Sequence, residues 1–379
     1  MEIPAIPSNA DPSQNNQITP LTPSQIDTAF SSTTTNLSSS SLNATILSCS
    51  NDYFAAASNL LTPTPPIHRP GVFIHTGAWY DGWETRRHNP AEYDWAVIKL
   101  GVGSGIVHGV EIDTAFFVGN YGEEVLVEAC FVEQNDNGAR DGEVSKPDFQ
   151  GWTTILPRQR CGPSQRQGWK LPQPTQPITH VRVRMYPDGG FARLRLYGHA
   201  VPPPPPPPST TAGTTSTIPL EELSSALMGG LVVGASDQHY TPASNILLPG
   251  RGKDMGDGWE TARSRAKGHV DWAIVKLGLV GGIERVVVDT KDFRGNFPRA
   301  VRVHGLLWKG EGEPGADDGG WVEVVKGDRP CQADTEHVFE GEELGEAARG
   351  EGRVFSHVKL TMVPDGGVKR FRVFGRRAV

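Results

Sequence analysis

The pentapeptide DGWET stands at residues 81–85 of this chain and again at residues 257–261. Three further matches keep the same order: DWA at 94–96 and 271–273, KLG at 99–101 and 276–278, and PDGG at 187–190 and 364–367. The separation is 176 or 177 residues at every match, so almost nothing is inserted between these landmarks. We conclude that one domain is present twice within the 379 residues.

Each copy consists of short apolar or alternating segments, such as WAVIKLG and HVRVRMY in the first and WAIVKLG and HVKLTMV in the second. Short β-branched segments between Gly, Pro, Asp and Asn are typical of antiparallel strands. Only PLEELSSALMG, at 219–229, has the pattern of a helix. The sequence therefore predicts an all-β fold of two tandem jelly-roll β-sandwich (galactose-binding-like) repeats, joined by a proline-rich linker.

Two low-complexity segments divide the chain. Residues 1–44 are rich in Ser, Thr, Asn, Pro and Gln, and we expect a disordered arm because such a segment buries too little apolar surface to offset the entropy of ordering. Seven consecutive prolines at 202–208, followed by STTAGTTST, predict a polyproline II linker. The expected domains are a first sandwich at 45–200, a linker at 201–218 and a second sandwich at 219–379.

Charge and cysteine content exclude several classes of protein. The formal net charge is −7 and no basic run stands out, so we expect neither a nucleic acid nor a membrane surface as partner. No stretch approaches the roughly 20 apolar residues of a membrane helix, and the N-terminus lacks a secretory pattern. The four cysteines form no CxxC pair, which argues against a zinc cluster or a disulfide framework and favours the reducing cytoplasm.

The segment around GWET contains the first candidate site residues: Trp83, Glu84 and Arg87, with their counterparts Trp259, Glu260 and Arg263. In a structural interpretation, the indoles close one end of a sandwich and Glu and Arg form an ion pair. In a functional interpretation, a carboxylate and a guanidinium beside an aromatic wall recognise a small polar anion, since arginine binds carboxylates in a planar fork and glutamate transfers protons. Both interpretations stay open.

A second group of candidates follows a strand in each copy. Asp113 and Asp289 end a segment that leads into Gly-Asn, at Asn120 in the first copy and Asn296 in the second. Strand ends that lead into glycine loops are common places for functional residues. We therefore add these four side chains to the candidate site.

The remaining shared residues have simpler interpretations. PDGG predicts first of all a hairpin turn, in which Asp and Gly supply the backbone freedom. His180 and His357 stand before equivalent strands and are either structural histidines or proton carriers.

Several familiar motifs are missing, namely GxSxG, the P-loop, HExxH and the EF-hand loop. Serine hydrolase, nucleotide-binding and zinc protease functions therefore lack support. We expect no cofactor, although a divalent metal held by Asp and Glu from distant loops stays open.

The long motifs of both copies resemble the allantoicase family. They are NDYFAAASNLLTPTPPIHRPGVFIHTGAWYDGWETRRHN, DWAVIKLG and VEIDTAFFVGNY in the first copy, and ASDQHYTPASNILLPGRGKDMGDGWETARSR and HVDWAIVKLG in the second. The resemblance covers about residues 46–200 and 219–379. It implies two tandem jelly-roll repeats and a hydrolase of non-peptide C–N bonds in linear amidines, which converts allantoate to ureidoglycolate and urea in purine degradation and nitrogen use.

Allantoate carries one carboxylate and two ureido groups on a single carbon, so each candidate can be given a role. The acid–base candidates are Glu260 and Glu84. The candidates for substrate binding are Arg263, Arg265, Arg87, Trp259, Trp83, Asp289, Asp113, Asn296 and Asn120. The second copy is richer in charge, with GRGKDMGDGWETARSR, so we expect the chemistry there.

Two other functions fit the same residues. One is a tandem ligand-binding module without chemistry, since a fold does not determine a function. The other is a hydrolase of a related ureide such as ureidoglycolate. A homo-oligomer is compatible with the sequence, which does not determine the number of subunits.

Overall fold

The computed structural model of the chain describes residues 18–133, 139–205, 219–350 and 352–378. The chain divides into two compact units, Met1–Val201 and Pro202–Val379. Both are built almost entirely of antiparallel strands, which confirms the predicted all-β class and the two sandwiches.

The first unit has fourteen strands and two helices among its described residues. The strands are β1 (Thr19–Leu21), β2 (Thr35–Asn36), β3 (Thr45–Cys49), β4 (Phe73–Ile74), β5 (Gly77–Ala78), β6 (Trp83–Glu84), β7 (Asp94–Lys99), β8 (Gly105–Asp113), β9 (Glu124–Cys130), β10 (Thr153–Arg160), β11 (Arg166–Lys170), β12 (His180–Tyr186), β13 (Gly190–Phe191) and β14 (Arg193–Ala200). The helices are α1 (Pro23–Phe30) and α2 (Ala139–Val144), and short 3-10 turns cover Ser40–Leu42 and Ala57–Leu61.

Two five-stranded sheets form the first sandwich, in the orders β1-β11-β8-β14-β2 and β10-β9-β12-β7-β3. Alternate side chains of each strand face the interior, as the period of two requires. Fully buried examples are Val110, Leu194, Ile98, Val127 and Val183. Burial of such aliphatic side chains is the main stabilising contribution to a sandwich core.

The second unit has ten strands and one helix among its described residues. The strands are β15 (Glu221–Glu222), β16 (Leu231–Ala235), β17 (Trp259–Glu260), β18 (Asp271–Asp289), β19 (Ala300–Leu306), β20 (Val322–Pro330), β21 (Glu336–Glu340), β22 (Phe355–Val363), β23 (Gly367–Val368) and β24 (Arg370–Arg377), and the helix is α3 (Glu346–Arg349). The 3-10 turns are Ala226–Met228, Ala243–Leu247, Met255–Asp257 and Gly341–Glu343.

Strand β18 is 19 residues long and contributes to both layers of the second sandwich. Its first part pairs with β16 and β22, and its second part pairs with β21 and β24. The same path in the first unit is split into β7 and β8. The KLG motif requires glycine in both units, because the backbone of another segment lies too close for a side chain. A Cβ at Gly101 would lie 1.7 Å from the carbonyl oxygen of Leu42, and a Cβ at Gly278 would lie 2.0 Å from the carbonyl oxygen of Met228.

The prediction of a disordered arm at 1–44 is wrong for residues 18–44, while residues 1–17 lie outside the described residues. Strand β1 pairs with β11, and α1 packs Ile26 and Phe30 onto the same sheet. The sheet leaves room for them, because a Cβ at Gly168 or Gly109 would collide with these two side chains. The prediction relied on the average composition of the segment and overlooked a few well-spaced apolar residues, such as Ile26 and Phe30, which are at most 3% exposed.

The helix predicted at 219–229 is also wrong. The segment forms β15 and the 3-10 turn Ala226–Met228, because serine hydroxyls satisfy the backbone in a non-helical form. Ser225 accepts a hydrogen bond from Leu227 N, and Ser224 accepts one from Val373 N at 2.9 Å. The linker at 201–218 stays a prediction, since residues 206–218 lie outside the described residues.

PDGG is not a hairpin in either unit. In the first unit, β12 and β14 on either side of it belong to different sheets, and Gly190–Phe191 pair with β6 instead. In the second unit, β22 and β24 both pair with β18 and not with each other. The motif therefore brings its aspartate next to the GWET segment, and the short-range turn signal could not show that partner.

Candidate functional site

Glu84 and Asn120 come together in the first unit. Glu84 lies on β6, which pairs with β13 so that Glu84 stands opposite Gly190. Its side chain is buried, and Asn120 Nδ2 donates a hydrogen bond to its Oε1 at 2.7 Å. The sequence placed these residues 36 positions apart, and the fold makes them neighbours.

The second unit repeats this arrangement with Glu260 and Asn296. Glu260 lies on β17 opposite Gly367 of β23, and Asn296 Nδ2 donates to Glu260 Oε1. Glu260 is only half-buried. Two of the predicted partners are therefore brought together in each repeat.

The two carboxyl groups differ in their surroundings. Burial raises the pKa of Glu84, and the hydrogen bond from Asn120 and the nearby charge of Arg87 oppose this rise without cancelling it. A buried carboxyl with a raised pKa keeps its proton to higher pH, as a general acid requires.

The two tryptophans support the structural interpretation. Trp83 and Trp259 are fully buried, and their indole N–H groups donate to the carbonyl oxygens of Asn51 and Asp237 at 2.9 Å each. The expectation that they form an aromatic wall against a ligand is therefore wrong. They fix β6 and β17 to the preceding segment and so hold the adjacent glutamates in place.

Asp113 and Asp289 are buried at the ends of β8 and β18 and bond to the loops that follow. Asp113 accepts from Ala115 N at 2.8 Å, and Asp289 accepts from Lys291 N at 2.9 Å. Asp289 also pairs with Arg251 through two hydrogen bonds of 2.7 and 2.9 Å. These contacts give both aspartates a framework role, and none of their hydrogen bonds within the described residues goes to Glu84 or Glu260.

The three candidate arginines are exposed on the loops after the glutamates. Arg87 lies over the ring of Phe54, with 5.9 Å between its guanidinium carbon and the ring centroid. Arg263 and Arg265 follow Glu260 in the second unit. Exposed guanidinium groups beside a recessed carboxyl suit an anionic ligand.

The first glutamate–arginine loop is fixed by a residue pair that the sequence did not single out for this role. Thr85 N donates to the carbonyl oxygen of Gly189 at 2.9 Å, and Gly189 N donates to Thr85 Oγ1 at 3.1 Å. Asp188 Oδ2 accepts from Asn89 N at 2.9 Å. The aspartate of PDGG therefore holds the loop that carries Arg87.

The second unit has the same clamp. Thr261 and Gly366 exchange the equivalent two hydrogen bonds, at 3.0 and 3.2 Å. Asp365 Oδ2 accepts from Ser264 N at 2.8 Å. The repeated DGWET and PDGG motifs, read together, are the signal that indicates this pairing.

His180 and His357 lie outside the candidate site. Each is buried and bonded through Nε2 to a neighbouring acid, His180 to Asp141 of α2 at 3.2 Å and His357 to Glu313 of a loop at 2.9 Å. Burial lowers the pKa of both imidazoles, which favours their neutral form. The structural interpretation is the one that fits.

The described residues form neither a metal cluster nor a membrane-spanning helix. Within the described part of the chain, no three His, Cys, Asp or Glu side chains converge as a metal site would require. No helix there combines the length and the apolarity needed to cross a membrane. Two open grooves, beside Phe355 in the second unit and beside Phe131 in the first, contain none of the candidate site residues.

Comparison with known proteins gives consistent matches over both repeats. A family model of the allantoicase repeat matches residues 35–201 and 221–378. An allantoicase of Neurospora crassa is 54% identical over 355 residues, which are 93% of this chain and 94% of that protein. An allantoicase of Saccharomyces cerevisiae is 46% identical, over 89% of this chain and 92% of that protein. The crystal structure of the Saccharomyces cerevisiae allantoicase matches with a TM-score of 0.77 at 39% identity, and the match covers 94% of this chain and 99% of that one.

Proposed function

Because the chain belongs to the allantoicase family, we propose that its paired glutamate and asparagine side chains are where allantoate reacts. The chain is a hydrolase that converts allantoate to ureidoglycolate and urea in the degradation of allantoin. The observation that supports this site most directly is the hydrogen bond from Asn120 to Glu84, which recurs between Asn296 and Glu260.

The arginines are proposed to bind the substrate carboxylate. Arg87, Arg263 and Arg265 are exposed on the loops after the glutamates, within a few residues of them along the chain. A guanidinium can bind a carboxylate through two parallel hydrogen bonds, which fixes the orientation of the substrate. Asp188 and Asp365 accept hydrogen bonds from backbone N–H groups of these loops and so tie the loops to the PDGG segments.

The asparagines are proposed to orient a ureido group. Asn120 Nδ2 is engaged with Glu84, so the carboxamide oxygen of Asn120 points elsewhere and can accept a ureido N–H. Because the amide is fixed on the glutamate, a ureido group bound to it lies close to the carboxyl group. Asn296 is placed in the same way beside Glu260.

The glutamate is proposed as the acid–base group. Protonated glutamate donates its proton to the nitrogen of the leaving ureido group, and the bond between this nitrogen and the central carbon breaks. The carboxylate then takes one proton from a water molecule whose oxygen bonds to the same carbon. The products are urea and the hydroxyl-bearing ureidoglycolate, and the glutamate regains its proton. Such a proton transfer contributes about 10²–10⁴-fold to the rate.

We also propose that this reaction takes place in the cytoplasm. All four cysteines of the chain are free in the structure, which agrees with a reducing compartment.

The substrate is tested by urea release from purified, chelator-treated protein, with allantoate and ureidoglycolate as parallel substrates. We expect urea from allantoate alone. Urea from ureidoglycolate alone would assign the chain to the related ureide instead, and no urea from either substrate after divalent metals are restored would favour a binding module.

A further inference from the structure

The two repeats differ in the segment just before DGWET. Twenty residues separate Leu61 from Gly82 in the first repeat, and ten separate Leu247 from Gly258 in the second. The extra length in the first repeat contains the hairpin of β4 and β5, in which Phe73 pairs with Ala78 and Ile74 with Gly77. We call residues 73–78 the first-repeat hairpin.

Contacts at its base fix the segment that carries the first-repeat hairpin. Ile67 N donates to Asp81 Oδ2 at 2.8 Å, and His68 stacks on Phe116 with 5.0 Å between ring centroids. On the hairpin side, the guanidinium of Arg69 lies 5.0 Å from the centroid of Trp79. The hairpin is therefore held in a defined position by the fold.

The first-repeat hairpin lies beside Phe54, which adjoins the candidate site. Gly77 is a neighbour of the Phe54 ring, since a Cβ built on this glycine would lie 4.0 Å from that ring. The Phe54 ring is the one over which Arg87 lies, and Phe54 N donates to the carbonyl oxygen of Glu84 at 3.1 Å. Phe54 thus lies between the hairpin on one side and the candidate acid and the candidate arginine on the other.

The second repeat lacks this cover. Tyr240 stands where Phe54 stands, with its backbone N–H bonded to the carbonyl oxygen of Glu260 at 3.3 Å, and it is 61% exposed. Phe54 is half-buried. The carboxyl groups follow the same trend, because Glu84 is buried and Glu260 is half-buried.

Two charged residues of the stretch that favoured the second repeat in the sequence, Arg251 and Asp257, have structural partners. Arg251 pairs with Asp289, and Lys369 is fully buried against Asp257 and Asp292. These ion pairs fix the shorter loop of the second repeat. Part of its high charge is therefore explained without a ligand.

From these contacts we infer that the first repeat carries the hydrolysis, and that the first-repeat hairpin completes its site by covering Phe54. This inference rests on the proposed function. Less water around Glu84 keeps its carboxyl protonated to higher pH. This favours proton donation to a leaving urea in the first repeat over the second.

The inference is tested with matched variants of the two repeats in the full chain. Glu84→Gln is expected to lower kcat by about 10²-fold or more, and Glu260→Gln to cause a smaller loss. Arg87→Ala and Arg263→Ala are the second pair. Both arginines are exposed, so these changes leave the core intact, and we expect the larger rise in KM for Arg87→Ala.

The role of the covering aromatic needs a readout other than rate alone. Phe54→Ala admits water to Glu84, so the pH at which activity falls as the acid loses its proton is expected to move down. Tyr240→Ala is the matched control and is expected to leave that pH and the rate as in the parent, because Tyr240 is already exposed.

The outcomes separate this inference from the proposed function. A larger loss from Glu260→Gln than from Glu84→Gln, or equal losses from both, would overturn the assignment to the first repeat and leave the glutamate mechanism standing. If neither variant loses activity, both the inference and the proposed site are wrong. An unchanged pH profile in Phe54→Ala would remove the role given to the hairpin.

Discussion

Asn120 Nδ2 lies 2.7 Å from Glu84 Oε1. This hydrogen bond joins the loop after β8 to β6, the two-residue strand within the first DGWET motif. The bond lowers the pKa of Glu84, while burial raises it more strongly. The protonation of Glu84 is therefore set by a balance that a single substitution can shift.

Asn120→Leu removes the hydrogen bond and leaves the burial of Glu84 in place. The pKa of Glu84 is then expected to rise further, because the ionised form loses its donor. The limb of the kcat/KM profile on which the general acid loses its proton should move to higher pH. Asn296→Leu is the matched change and should shift this limb less. A limb that moves to lower pH in Asn120→Leu would contradict the account.

Asp188→Ala removes the acceptor for Asn89 N and loosens the loop that carries Arg87. We expect KM for allantoate to rise more than kcat falls, since the role proposed for Arg87 is to bind the substrate and not to transfer a proton. Asp188→Asn keeps an oxygen for the same N–H and should restore most of the affinity. Steady-state kinetics of the three proteins check this, and an equal defect in the Ala and Asn variants would show that the charge of Asp188 is what matters.

Phe30→Ala tests the packing of the N-terminal segment. Phe30 is 3% exposed and stacks on Tyr197 with 4.6 Å between ring centroids, above Gly109. Truncation of a buried phenylalanine costs about 3–5 kcal/mol of the free energy of unfolding. Urea unfolding of this variant and of the exposed control Ser32→Ala measures the difference. A loss no larger than in the control would mean that α1 contributes little to the stability of the first unit.

Stability is expected to fall on mild acidification because of the two buried histidines. Burial holds the pKa of His180 and His357 below the value of 6.5 for an exposed histidine, so the unfolded chain binds protons that the folded chain excludes. This contribution is complete above about pH 6.5 and is lost as the pH falls below it. The ion-paired carboxyls of Asp141 and Glu313 have lowered pKa values and act in the same direction at lower pH.

The measurement is the free energy of unfolding at several pH values between about 7 and 5. The double variant His180→Gln and His357→Gln should show a shallower decline than the parent across this range. An equally steep decline in the double variant would assign the effect to other groups.

The fold was largely predictable because its signals are local. The period of two in the strands and the repeated DGWET, KLG and PDGG landmarks specify two sandwiches without any knowledge of contacts. The segments 18–44 and 219–229 were mispredicted because hydroxyl groups such as Ser224 and a few buried apolar residues such as Leu37 determine their structure through contacts with distant strands.

The candidate site was predictable only in part, because the sequence indicates residue types but not which of them are in contact. The sequence indicates Glu84 and Asn120 as candidates, and their pairing follows from the fold. Trp83 has a framework role because its indole is bonded inside the core, which residue type alone does not reveal. The proximity of Gly77 to Phe54 could not be predicted, since neither residue carries chemistry that marks it in the sequence.

The most direct test of the central claim is urea release from allantoate by the parent chain and by the double variant Glu84→Gln and Glu260→Gln. Each substitution removes the ionisable group and keeps the shape of the side chain, and thermal melting verifies that the variant is folded. We predict that the parent releases urea and that the double variant is slower by about 10²-fold or more. A folded double variant that matches the parent would contradict the assignment of the chemistry to these glutamates.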